Sequence, residues 1–162
     1  MAVTLLLAAT SFSCAREVID DRVYGYVNIP FTTVNEWINF GVGGAGMSRR
    51  FVPELHEPAG YQWLVGSAAG FGGVLLTRTL FDDIWVFDAA CPYERNPKIR
   101  VAMDAATNTA KCPKCGSTYD VLQTSGLGPG HAISGPAYSL NYSLTPYRIE
   151  FGAANRYAIL RN

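Results

Sequence analysis

Two short Cys-Pro loops constrain this chain more than any other feature. Lys111-Cys112-Pro113-Lys114-Cys115-Gly116 is a Cys-x-x-Cys turn, and Ala90-Cys91-Pro92-Tyr93-Glu94 is a similar small loop, with twenty residues (92–111) between Cys91 and Cys112. Thiolates two residues apart on a tight turn can both reach one metal or cluster, because the turn leaves both sulfurs on its inner side. Any fold for this chain therefore has to carry two loops as the jaws of one site.

The rest of the sequence supplies the frame. Sixteen glycines and nine prolines interrupt most long segments, which favours many short strands over helices. Val23–Ile29 alternates as a strand ended by Pro30, and Val34–Phe40 reads as a second strand or a short helical turn. Val74–Thr79 and Ile84–Phe87 form a hairpin around Phe81-Asp82-Asp83, and its second strand leads straight to Cys91. Ile99–Met103 and Thr109–Lys111 are strands flanking a turn at Asp104–Thr107, and Tyr119–Leu122 leaves the second cysteine loop. Gly126–Gly135 reads as a loop, and Tyr138–Leu140, Tyr147–Phe151 and Tyr157–Leu160 as strands. Trp37, Trp63, Trp85 and Tyr24 are assigned to core packing, and Asp82, Asp83 and Asp88 to turns and solubility. Together these predict one all-β domain over 23–162, an antiparallel β-sandwich or barrel, with a small insertion at about 89–136 carrying both loops.

Thirteen basic residues balance thirteen acidic ones without a Lys/Arg run, so no nucleic-acid partner is expected. Gly41-Val42-Gly43-Gly44-Ala45-Gly46 matches a dinucleotide fingerprint in letters only, since no amphipathic helix follows it. Residues 1–22 read as a signal segment and linker: Val3–Phe12 is a short apolar run before Cys14, which resembles the lipid-modified cysteine of bacterial lipoproteins. The expectation is export and membrane attachment through lipid on Cys14. Neither histidine sits in a nucleophile motif, and His56 is expected at the surface.

Cys91-Pro92-Tyr93, then Cys112-Pro113-Lys114-Cys115-Gly116-Ser117-Thr118-Tyr119-Asp120, then Gly135-Pro136-Ala137 resembles the Rieske iron–sulfur domain family. That family carries Cys-x-His on one loop and Cys-x-x-His-Gly on the next, then Ser-x-Tyr/Phe-Asp and a covering Gly-Pro-Ala segment. Tyr93 and Cys115 stand where the family has its histidines. The resemblance implies a Rieske-like fold and a [2Fe-2S] cluster, with Cys91 and Cys112 on one iron. It also implies that Ser117 and Tyr119 hydrogen-bond to cluster sulfurs and that Pro136 covers the site. The expected function is one-electron transfer to a partner protein, with Cys91, Cys112, Cys115 and an oxygen ligand, Tyr93 or the neighbouring Glu94, holding the cluster. Thiolate and phenolate in place of imidazole would lower its potential.

Two alternatives stay open. Three thiolates with His131 would make a closed zinc site. Without metal, Cys112 could pair with Cys115, or either could pair with Cys91 across the loops, leaving a structural or binding module.

Overall fold

The structure, a computed structural model, describes residues 25–153 and 156–162. The signal-like segment with Cys14, the first two residues of the strand expected at Val23, and Ala154 and Asn155 of the last turn lie outside the described residues.

Among the described residues the chain forms strands β1 (Val27–Phe31), β2 (Ser48–Phe51), β3 (Ala68–Ala69), β4 (Val74–Arg78), β5 (Ile84–Asp88), β6 (Ala102–Asp104), β7 (Thr109–Lys111), β8 (Thr118–Tyr119), β9 (Ala132–Ser134), β10 (Pro146–Phe151) and β11 (Ala158–Arg161), with two short helices, α1 (Val34–Phe40) and α2 (Pro136–Ser139). The fold is all-β, as expected. Seven strands in the order β2-β4-β5-β10-β11-β1-β3 curl into a nearly closed antiparallel barrel, and β6-β7-β8-β9 make a second, four-stranded sheet. That second sheet is inserted between β5 and β10, and the two cysteine loops lie within it and on its approach.

The β4–β5 hairpin joins the two parts. Val74, Leu76 and Val86 face the barrel core with Phe31, Trp37, Phe51 and Tyr61, while Leu75 and Phe87 face a second core with Val101, Ala110, Tyr119 and Leu144. Successive strand residues point to opposite faces, so a run buried on both faces must be apolar throughout, as Val74-Leu75-Leu76 is. Cys91 and Cys112 belong to the second core.

Several local expectations differ from what is observed. Val34–Phe40 is helical because Thr33 caps it: Glu36 N–H donates to Thr33 Oγ1 at 3.2 Å, and the Glu36 carboxylate takes the Thr32 N–H at 2.6 Å. Trp37 is thus a core residue on a helix, packed edge-on against Phe31 with ring centroids 5.0 Å apart. Pro30 lies inside β1 rather than ending it. Its carbonyl accepts from Tyr61 Oη at 2.6 Å, and β3 pairs only with Val27 and Asn28, so the missing N–H of Pro30 faces no ladder partner. Tyr138–Leu140 is not a strand, because Pro136 starts a helical turn closed by Tyr138 N–H on the Gly135 carbonyl at 3.1 Å. Strand β9 occupies part of the expected Gly126–Gly135 loop, and β2 and β3 are additional strands.

Gly41–Gly46 follows a helix and leads into a strand, the reverse of the order a dinucleotide site requires. No helix among the described residues is long and apolar enough to cross a membrane.

Candidate metal centre

The first jaw is rooted in a buried carboxylate. Asp88, at the end of β5, accepts hydrogen bonds from the N–H groups of Phe71 (2.7 Å), Gly72 (3.0 Å) and Ala90 (2.8 Å) and from the Tyr147 hydroxyl (2.8 Å). Burial pushes its carboxyl above the usual range, and these donors draw it partly back. Asp88 is therefore an internal anchor that fixes the start of the cysteine loop, where a solubility role was expected. Beyond it, Cys91 N–H bonds to the Ile99 carbonyl at 2.9 Å, and the Cys91 carbonyl accepts from Glu94 and Arg95 N–H at 3.2 and 3.0 Å, closing a tight turn.

The second jaw is closed by its own backbone. Cys112 N–H donates to the Ser117 carbonyl at 2.9 Å and Gly116 N–H to the Cys112 carbonyl at 3.1 Å, with Gly116 at φ +74°. Glu94 and Lys114 tie the jaws together through a 2.5 Å ion pair, in which the Glu94 side chain is only 8% exposed.

A third segment roofs the site. Ala137 N–H donates to Ser117 Oγ at 3.0 Å, and Gly135 passes so close that a Cβ there would lie 2.7 Å from Ser117 Cα and 2.8 Å from its Oγ. The Gly135-Pro136-Ala137 segment lies over the second loop, with Pro136 half-buried as the first residue of α2.

These three pieces bring Cys91, Cys112 and Cys115 together as free thiols whose sulfurs all lie within 4.8 Å of one another. Cys91 Sγ and Cys115 Sγ are 3.7 Å apart, Tyr119 Oη is 3.2 Å from Cys91 Sγ, and the Cys115 thiol donates to Ser117 Oγ at 3.2 Å. Cys91 and Cys112 are fully buried, whereas Cys115 is partly open to solvent.

The thiols differ in acidity. Burial pushes Cys91 up to about 12, with Tyr119 drawing it partly back. Burial also opposes ionisation of Cys115, but the Ser117 hydroxyl and backbone N–H outweigh it and hold this thiol below its usual value. Tyr119 is raised by its burial and by its contact with Cys91, so it stays a neutral donor. The group is thus preformed, with one accessible, acidic thiol at its mouth. Three thiols this close could hold a metal ion.

The other expected ligands are Tyr93, Glu94 and His131. Among the described His, Cys, Asp and Glu residues, the mutually close group holds these three cysteines and neither His131 nor Glu94. His131 forms a β-bridge with Ser143, Glu94 is paired to Lys114, and Tyr93 is 40% exposed at the tip of the first loop. His56 is exposed, as expected. Sequence reasoning missed the Asp88 anchor, whose signal was an acid ending an apolar strand, and the Glu94–Lys114 link, whose signal was opposite charges in the two loops.

No protein-family model matches the chain, and no curated protein matches it in sequence.

Proposed function

We propose that this chain is an exported metal-binding module of Rieske-like architecture, in which Cys91, Cys112 and Cys115 hold one soft metal ion, zinc, that fastens the two loops. The observation that carries this reading is the sulfur spacing. Two thiolates on one tetrahedral ion with metal–sulfur bonds of about 2.3 Å stand ~3.8 Å apart. Cys91 and Cys115 are at 3.7 Å, and Cys112 is within 4.8 Å of both. Sulfurs on different irons of a two-iron cluster stand farther apart than sulfurs sharing one ion. Three thiolates are also a soft donor set, which suits zinc. The signal-like Val3–Phe12 run and Cys14 support attachment at a membrane surface by lipid.

A second reading, a one-electron carrier with a [2Fe-2S] cluster, is favoured by a different observation. Tyr119 and Ser117 each place a hydroxyl 3.2 Å from a cysteine sulfur, and hydrogen bonds to sulfur tune cluster potentials.

Metal and sulfide analysis of protein made without oxygen separates the two. One zinc per chain, lost in Cys115→Ala, is the expected result. Two irons with two labile sulfides per chain would establish the second reading instead, and protein without metal overturns both.

A further inference from the structure

The same three thiols are arranged to close on themselves in one particular way. Cys91 Sγ and Cys115 Sγ already touch at 3.7 Å, and a disulfide needs them to approach by ~1.7 Å to a bond of about 2.04 Å. The three are unequal in access: Cys91 and Cys112 are 1% and 0% exposed, while Cys115 is partly open. An oxidant from solvent therefore meets Cys115 first. Cys91 on the opposite jaw stands 3.7 Å from it, Cys112 lies within 4.8 Å, and the Glu94–Lys114 ion pair already holds the jaws together.

We infer that oxidation pairs Cys91 with Cys115, across the loops, and ejects the metal. This switch rests on the metal reading above for its second half only. The oxidant is a low-molecular-weight disulfide such as oxidised glutathione. The Cys115 thiolate attacks one of its sulfurs, forming a mixed disulfide and releasing one glutathione thiolate, which takes up a proton. Cys91 then attacks the Cys115 sulfur, breaking the mixed disulfide and releasing the second glutathione, and the Cys91 proton leaves with it. Two thiols are oxidised and one disulfide is reduced, so atoms and electrons balance. Cys112 is left reduced and buried. A bonded pair at about 2 Å cannot also span a tetrahedral edge of ~3.8 Å, so disulfide and metal site exclude each other.

The sequence makes the pairing directly readable, because trypsin places each cysteine on its own peptide: Cys14 on 1–16, Cys91 on 79–95, Cys112 on 112–114 and Cys115 on 115–148. The full chain, made without oxygen, is divided into a chelator-stripped portion and one given a single equivalent of zinc, and both receive oxidised glutathione. In the stripped protein, peptide 79–95 should be joined to 115–148 while 112–114 stays free. With zinc, joining should be at least tenfold slower, and one zinc should leave per disulfide formed. Peptide 112–114 joined to 115–148, or a glutathione adduct that goes no further, overturns the pairing. Equal rates in zinc-loaded and stripped protein overturn the switch. A chain that takes up no zinc defeats the metal reading alone, since the stripped protein still reports the pairing on the same peptides.

Discussion

Replacing Gly135 by alanine tests the roof of the site with a single methyl group. Gly135 sits at φ +78° and ψ −172°, a region populated essentially by glycine, where other residues cost about 1–3 kcal/mol. The added Cβ would also meet Ser117 at 2.7 Å from Cα, 2.8 Å from Oγ and 3.0 Å from N. Two of those atoms are backbone, so the strain cannot be relieved by a rotamer change, and overpacking of this kind costs about 1–3 kcal/mol more. The sum, about 4 kcal/mol, corresponds to a fall in Tm of roughly 8–16 °C for a domain of this size. Gly126→Ala provides the control, because it shares a positive φ of +74° but has nothing within 4 Å of the new Cβ. The difference in Tm between the two variants therefore reads the contact with Ser117 together with any difference in ψ-dependent backbone strain. Lifting the roof also breaks the Ala137-to-Ser117 hydrogen bond, so Cys115 in Gly135→Ala should react faster with a thiol reagent. A Gly135→Ala protein that melts like Gly126→Ala, with unchanged thiol reactivity, would show that the segment does not press on the second loop.

Two further predictions follow from the same geometry. Tyr119→Phe removes the hydroxyl 3.2 Å from Cys91 Sγ and should cost about 1 kcal/mol, seen as a Tm lowered by a few degrees with the fold retained by circular dichroism. Asp120 is buried and takes hydrogen bonds from the backbone N–H groups of Thr124 (2.9 Å) and Ser125 (2.7 Å). Burial pushes its carboxyl up, but these and the Ser125 hydroxyl outweigh it and hold the group below its ordinary value of 3.8. A depressed carboxyl contributes stability that is present above the unfolded pKa and lost as pH falls through the folded one. The Tm gap between wild type and Asp120→Asn should accordingly be widest at neutral pH and close below 3.8.

How far the sequence reveals this molecule depends on how local each determinant is. The β4–β5 hairpin was legible because its apolar strands and its Phe81-Asp82-Asp83 turn are contiguous, and β7 was legible from Thr109 to Lys111 exactly as the structure has it. Strand β2 was not, because Ser48-Arg49-Arg50 carries no apolar alternation and is held as a strand by its pairing with β4. The apolar pattern of helix α1 fits a strand or a helical turn equally, and the capping-box spacing of Thr33-Val34-Asn35-Glu36 is what settles it. At the site, the gathering of Cys91, Cys112 and Cys115 was legible from loop chemistry and spacing. The placements of Glu94 and His131 were not, because they depend on Lys114 and Ser143, partners brought near by the second sheet rather than by sequence proximity.

The shared hairpin limits how this architecture can be taken apart. Because Leu75 and Phe87 turn one face of β4 and β5 to the inserted sheet while Leu76 and Val86 turn the other to the barrel, cutting out residues between β5 and β10 would strip a wall from a barrel that otherwise looks complete. The apolar side chains left facing water would make the shortened barrel prone to self-association. The insertion is therefore not a graftable cartridge: a host able to receive the thiol site must offer a strand pair that is apolar on both faces.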